Sequence, residues 1–229
     1  MMRYTKEQYK ARFEEDESVG WDAIDEVLDK LYVDQEPRHY GTIIKYMLGG
    51  EDPLDGISIY DNHEQIFHRH IVSYGMSELY YSPESAENEF SGWGFEFTFR
   101  IVPFEGDKDA DKAKHEPYWA MNVMQNLARY VFDSKRWFEA YHFIPANGPI
   151  RLDTDTKLVG IAFVPDPQLG TIETPNGEVT FLQMVGLTQE ELDWLWQDPK
   201  TGRVEELINK MRADNPLLIT DLKREKSYV

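Results

Sequence analysis

FSGWGFEFTFRIV, residues 90–102, is the best-specified segment of this chain. From residue 93 onward apolar and small or polar residues alternate, which is the two-residue period of a β-strand. One face of the strand carries Trp93, Phe95, Phe97, Phe99 and Ile101. We expect this aromatic face to anchor the core. We expect the opposite face, with Glu96 and Arg100, to be half-buried, and these two charges lie too far apart along one strand to pair with each other.

The segments around this strand predict a mixed sheet with helices packed against it. Further strands are expected over residues 40–48, 57–60, 66–74, 158–164, 171–174, 179–185 and 216–220. Helices are expected over residues 5–16, 21–31, 118–135, 188–195 and 204–211. The Asn-Gly pair at 176–177 predicts a type I′ hairpin turn, and the helix over 118–135 is expected to lie across the aromatic face. We therefore predict a single α+β domain over residues 1–229, a mixed β-sheet flanked by helices.

Composition excludes several classes of function. The formal net charge of −18 is opposite to the basic surface that nucleic-acid binding requires. The chain has no cysteine, which excludes disulfides and thiolate metal sites. Its N-terminus is charged, and no apolar run approaches the roughly 20 residues that a membrane span needs. We therefore expect a cytoplasmic protein that binds neither nucleic acid nor membrane.

His68 and His70 lie two residues apart in an expected strand, so both side chains point to one face. Two imidazoles in this arrangement can contribute to a metal site, and a metal-dependent enzyme is the alternative function that they leave open. A covered structural pair is an equally natural interpretation. Further metal ligands would have to come from residues without diagnostic spacing, namely His39, His63, Glu96 and His142.

Motifs with a defined catalytic mechanism are absent from the sequence. It contains no G-x-S-x-G elbow, no H-E-x-x-H pair and no Walker pattern. Carboxylates are so abundant that any acid–base pair would be an arbitrary choice. We therefore expect a protein that is not an enzyme and that needs no cofactor.

Six segments, taken in order, resemble the suppressor-of-fused family. They are HYGTIIKYMLGGEDPLDGISIY (39–60), HRHIVSYGMSELY (68–80), SGWGFEFTFRI (91–101), MNVMQNLARYVFDS (121–134), DPQLGTIETPNGEVTFLQMVGLTQEEL (166–192) and LLITDLKR (217–224). The resemblance implies an α/β fold in which these elements form one unit of sheet and helices. This chain is similar to the first, N-terminal domain of the family, and we expect no second C-terminal domain.

The resemblance also implies a function in protein binding. Animal members of the family are cytoplasmic regulators that bind zinc-finger transcription factors, holding a short partner segment as an added strand between two domains. Single-domain relatives are typically bacterial and have been proposed as immunity proteins that neutralise polymorphic toxins. The expectation is a non-enzymatic immunity or regulatory protein that masks a basic partner, because an anionic surface complements a basic one.

In the family, the partner groove lies near the segment that matches SYGMSELY. The residues expected to contact a partner are therefore Tyr74, Glu78 and Tyr80, with Glu96 and Arg100 on the polar strand face as weaker candidates. Two alternatives stay open. These side chains could serve only to stabilise the fold, and the protein could be a scaffold that associates with itself.

Overall fold

Hydrogen bonds in the computed structural model, which describes residues 4–104 and 116–229, join eight strands into one sheet. The strands are β1 (Arg38–Gly41), β2 (Gly56–Asn62), β3 (His68–Tyr74), β4 (Phe90–Ile101), β5 (Phe143–Pro145), β6 (Leu158–Pro165), β7 (Thr171–Thr174) and β8 (Gly177–Thr188). Their order is β1-β2-β3-β4-β8-β6-β5, and β7 pairs with the beginning of β8. β4 and β8 are parallel and the other pairs are antiparallel, which confirms the predicted mixed sheet.

Helices cover both faces of the sheet. They are α1 (Lys6–Arg12), α2 (Val19–Leu31), α3 (Tyr118–Ser134), α4 (Gln189–Trp196) and α5 (Thr201–Arg212). α3 packs on the aromatic face of β4, as predicted, whereas α2, α4 and α5 pack on the opposite face. Capping boxes at Thr5 and Thr188 begin α1 and α4. Within the described residues, no helix combines the length and the apolar composition that a bilayer crossing requires.

The two faces of β4 are both buried, which corrects one expectation. Phe97 and Phe99 lie in the main apolar core under α3, as the alternation predicts. The polar face was expected to be half-buried, but Glu96, Thr98 and Arg100 are completely inaccessible to solvent. The reason is the position of β4 between β3 and β8, with helices on both sides, because a strand in the middle of a covered sheet has no solvent-facing side.

Three local predictions are wrong. The strand predicted over 40–48 ends at Gly41, and Tyr46–Leu48 form a 3₁₀ turn. The strand predicted over 216–220 is a single bridge between Thr220 and Ile101. At the β7–β8 turn, Thr174 pairs with Gly177, so Pro175 and Asn176 are the two loop residues. A type I′ turn is impossible there because proline keeps a negative φ.

We expect Phe97→Ala to lower the free energy of unfolding by about 3–5 kcal/mol, because it leaves a cavity among closely packed aromatic rings. Phe97 is fully buried and its ring lies within 6.0 Å of those of Phe95, Phe138 and Phe163. Phe90→Ala on the same strand is the matched control, since Phe90 is 51% exposed. Chemical denaturation of both variants measures the difference, and equal losses would contradict the assignment of the core.

Candidate partner-binding surface

Segment 75–82, which follows β3, is held in place by side chains from distant parts of the chain. The Asn176 amide donates to the carbonyl oxygens of Glu78 and Tyr80, at 2.9 Å each. Its Oδ1 accepts a hydrogen bond from the Tyr9 hydroxyl, which itself accepts one from the Ser82 amide. Asn176 was read in the sequence only as a turn residue. Its position beside proline and glycine gave no sign that its buried side chain would organise this segment.

Glu96 binds the beginning of the same segment from the core. Its carboxylate accepts hydrogen bonds from the hydroxyls of Ser73 and Ser77, both at 2.6 Å. It also accepts from the backbone amides of Gly75, Met76 and Ser77, at 2.9–3.3 Å. Burial raises the pKa of Glu96, and the hydrogen bonds from Ser73 and Ser77 oppose that rise. The five donors fix the path of the chain as it leaves β3.

Two glycines allow the segment to pack closely, Gly92 against the start of β4 and Gly75 against the backbone at residues 53–55. A Cβ atom on Gly92 would lie 2.7 Å from the Met76 carbonyl oxygen, and Gly92 has a φ of +56°. Gly75 has a φ of +137°, and a Cβ there would meet the backbone at Pro53 and Asp55. The Trp93 amide then donates to the Met76 carbonyl at 2.9 Å. The close neighbour of Gly92 is therefore segment 75–82.

Tyr80 and Glu78 are two of the residues of this segment that reach the surface. The Tyr80 hydroxyl donates to Asp55 and accepts from Lys45, whose ammonium lies 4.1 Å from the centre of the Tyr80 ring. Burial raises the pKa of Glu78, which is half-buried. Four exposed apolar side chains lie close to Lys45 in the chain. They are Ile43, Ile44, Met47 and Leu48, which are 102, 57, 71 and 74% exposed.

An aromatic surface continues from Tyr80 to a groove beside β4. Next to Lys45, Tyr46 packs edge-on against Phe132 at 4.9 Å, and Phe132 packs against Trp93 at 5.6 Å. Trp93 lines a groove of about 450 Å³ that also contains Phe90 and Trp137, which are 51 and 54% exposed. We define the aromatic surface as Tyr46, Tyr80, Phe90, Trp93 and Trp137. Of these five residues, Tyr80 is an expected partner contact, and Trp137 is a further candidate from the sequence because exposed tryptophans often anchor interfaces.

The other three predicted contact residues do not reach this surface. Tyr74 is fully buried, stacks on Trp21 at 4.4 Å and donates a hydrogen bond to Asp25 on α2. Glu96 and Arg100 are fully buried on β4. The structure therefore brings Glu78 and Tyr80 together at the surface. It places the remaining three in the interior, where they have no exposed atom with which to touch a partner.

Arg100 is the centre of a buried polar cluster between α2 and the sheet. Its guanidinium donates to both carboxylate oxygens of Asp166 at 3.1 and 3.3 Å, and to Gln183 at 3.0 Å. It also lies 3.2 Å from Nε2 of His68, while Nε2 of His70 is 3.0 Å from Asp166. Asp166 lies directly after β6, at the start of the turn that leads to β7. Sequence reasoning did not identify it.

Electrostatics in this cluster favour a charged pair beside two neutral histidines. Burial lowers the pKa of His68 and of His70 to about 4, with the Arg100 charge acting in the same direction. Burial raises the pKa of Asp166, but His70, Arg100 and backbone amides outweigh it, so the pKa lies well below its usual range. Within residues 4–104 and 116–229, no three His, Asp or Glu side chains are arranged to hold a metal ion. A guanidinium beside the two imidazoles is also unfavourable for a bound cation.

Similarity to known proteins extends over most of the chain. A model of the family described as Suppressor of fused protein (SUFU) matches residues 50–225. The human and mouse proteins named Suppressor of fused homolog are each 37% identical over 207 residues, which is 85% of this chain. This chain belongs to the suppressor-of-fused family. It spans 41% of the length of these curated family members.

Solved structures of the family show the same fold. A chain in "the Sufu-Fu complex crystal structure" is 31% identical with a TM-score of 0.80, covering 92% of this chain and 93% of its own. Drosophila Suppressor of Fused is 32% identical with a TM-score of 0.78, covering 92% of this chain and 51% of its own. A SUFU homologue from Neisseria gonorrhoeae shares the fold at 16% identity, with a TM-score of 0.59 and coverages of 92 and 97%.

Glu96→Gln should loosen segment 75–82 and lower the free energy of unfolding by about 2–3 kcal/mol, because an amide NH₂ would face buried donors. Amide hydrogen exchange at residues 75–77 should rise more than exchange in β6. Glu139→Gln, at an exposed position, is the control. Unchanged protection at residues 75–77 would show that Glu96 does not order this segment.

Stability should decrease as the pH falls from about 6.5 to 4. In this window the unfolded chain protonates His68 and His70 while the folded chain, with both pKa values near 4, does not. Linkage then gives each histidine on the order of 3 kcal/mol of stability at neutral pH that is lost in acid. When the free energy of unfolding is measured by denaturation at several pH values in this range, it should change with a smaller slope against pH for His68→Gln and for His70→Gln than for the wild type. The slope should persist in His63→Gln, whose side chain is exposed.

Proposed function

We propose that this chain is a non-enzymatic protein-binding module that masks a basic partner protein. We further propose that it works as a bacterial immunity or regulatory protein, with a polymorphic toxin as the expected class of partner. The observation that carries the proposal is the aromatic surface next to four exposed aliphatic side chains at residues 43–48. Large contiguous apolar patches on a folded protein mark interaction sites, and aromatic residues dominate the energy of such interfaces.

Family membership supports a protein as the ligand. A relative with a TM-score of 0.80 has been solved as part of a Sufu–Fu complex. The scaffold beneath the surface is suited to this role, because Asn176 and Glu96 hold segment 75–82 in one conformation before any partner arrives. A surface that is ordered in advance loses less conformational entropy when it binds.

Net charge indicates the chemistry of the partner. The chain has 42 acidic residues against 24 basic ones. A strongly anionic surface attracts a basic protein over a distance and accelerates the encounter at low ionic strength. Binding of a basic partner should therefore weaken as salt is added, because salt screens the attraction between opposite charges. The apolar contacts at the aromatic surface provide the affinity that remains.

The alternative function, a metal-dependent enzyme centred on His68 and His70, is not favoured by this geometry. Both imidazoles lie in the interior, and each is engaged by neighbouring groups. His68 contacts Arg100 and the Ile66 carbonyl, and His70 contacts Asp166 and the Tyr32 hydroxyl at 2.7 Å.

Photo-crosslinking can test the proposed surface directly. A chain carrying p-benzoylphenylalanine at position 137 is irradiated in lysate of its native host, where we expect capture of one basic protein. The matched control places the same group at position 196 on α4, because Trp137 and Trp196 are 54 and 53% exposed. Equal labelling from both positions, or capture of an acidic protein, would contradict the proposal.

Affinity measurements with the captured protein then test individual contacts. Trp137→Ala and Tyr80→Ala should each weaken binding by about tenfold or more, as truncation of aromatic anchors does. Trp196→Ala should change it by less than about twofold, since surface substitutions away from an interface are close to neutral. Stoichiometric addition of the wild-type chain should abolish the activity of the partner. Binding without loss of that activity would contradict the masking role.

A further inference from the structure

The ammonium group of Lys45, a positive charge of the chain itself, lies on the ring of Tyr80. It is 4.1 Å from the centre of the ring and donates a hydrogen bond to the Tyr80 hydroxyl. That hydroxyl donates in turn to the carboxylate of Asp55. The face of an aromatic ring attracts a positive charge. The surface at Tyr80, which is partly exposed, therefore already holds a cation in the free chain.

Negative charge around Tyr80 exceeds what Lys45 can balance. Asp55 and Glu78 are both partly exposed there, and the Glu78 carboxylate accepts a hydrogen bond from the Tyr80 amide at 3.3 Å. Burial raises the pKa of Glu78, the hydrogen bond from Tyr80 opposes that rise, and the negative charge of Asp55 adds to it. Among the described residues, neither carboxylate forms an ion pair. Two carboxylates at this surface therefore lack a direct cationic partner.

Lys45 belongs to a segment that can move away from Tyr80 at small cost. Residues 43–49, in the connection between β1 and β2, are all exposed. Besides the contact of Lys45 with Tyr80, the segment packs its Tyr46 ring against Phe132. Because little apolar area is buried beneath residues 43–49, displacement of Lys45 sacrifices little hydrophobic stabilisation.

We propose that Tyr80, Asp55 and Glu78 form a binding site for an arginine side chain of the basic partner, and that Lys45 occupies this site until the partner displaces it. The inference rests on the proposed function, because it names the chemical group by which the partner is recognised. Arginine suits the site better than lysine, since its planar guanidinium stacks on an aromatic ring and carries enough N–H groups to bind two carboxylates. Lys45 is then an internal competitor of the partner.

Nuclear magnetic resonance with an acetylated tetra-arginine amide tests the site without the partner. We expect saturable shifts of the backbone amide resonances of Lys45 and Tyr80. The matched ligand is the same peptide with citrulline in place of arginine, which keeps the shape, lacks the charge and should cause no saturable shift. Glu78→Gln and Asp55→Asn should each raise the Kd of the arginine peptide by about tenfold, the usual effect of losing one charge-assisted hydrogen bond.

Lys45→Met separates an internal competitor from an ordinary contact residue. Its removal should lower the Kd of the arginine peptide by about tenfold, because a site that is free in about one molecule in ten binds about tenfold more weakly than one that is always free. Lys200→Met removes the same charge from an exposed position and is the control. It should change the Kd by less than about twofold. Melting temperatures confirm that both variants are folded.

The proposal is overturned if the arginine peptide causes no saturable shift at Tyr80, or if the citrulline peptide binds as tightly. It is also overturned if Lys45→Met weakens binding, leaves it unchanged, or strengthens it no more than Lys200→Met does. Capture of a partner through position 137 is a separate measurement that uses neither peptide. A failed capture therefore contradicts the proposed function, whereas a failed peptide measurement contradicts the arginine site alone.

Discussion

The buried guanidinium of Arg100 is the interaction on which the rest of the sheet depends. It joins β4 to Gln183 on β8, to Asp166 in the turn between β6 and β7 and to His68 on β3. A charge in the interior is tolerated only when its hydrogen bonds and its counter-charge are all provided, and removal of one partner is strongly destabilising. The strands that surround β4 must therefore keep one register, and the two apolar clusters under α2 and under α4–α5 are fixed on either side of it.

Glu96, four residues earlier on the same face, solves the same problem differently. It has no cationic partner within hydrogen-bond distance among the described residues, and five hydroxyl and amide donors stabilise its carboxylate instead. Those donors all belong to the end of β3 and to segment 75–82. One strand therefore organises both the interior and the surface, because the segment that Glu96 holds in place carries Glu78 and Tyr80 outward. Binding residues on loops are typically held by a rigid scaffold in this way.

Much of the fold could be predicted from local patterns. The alternation in 90–102 identified the central strand and its aromatic face, and helical periodicity identified α3 as the helix that covers it. The capping boxes at Thr5 and Thr188 and the β7–β8 hairpin were also predictable, because each depends on residues close together in the chain. The family could be identified because several such segments occur in the same order as in its members.

The candidate site was predictable only in part, since alternation states which residues share a face but not what covers that face. The sequence by itself determined most of the helices and strands, the family and the anionic character, which follow from local spacing and composition. Tertiary structure alone decided that Tyr74, Glu96 and Arg100 are buried while Glu78, Tyr80 and Trp137 are accessible. Burial of Arg100 depends on Asp166, which lies 66 residues away along the chain. The position of Glu78 depends on Asn176, which lies 98 residues away. No pattern within one segment contains that information.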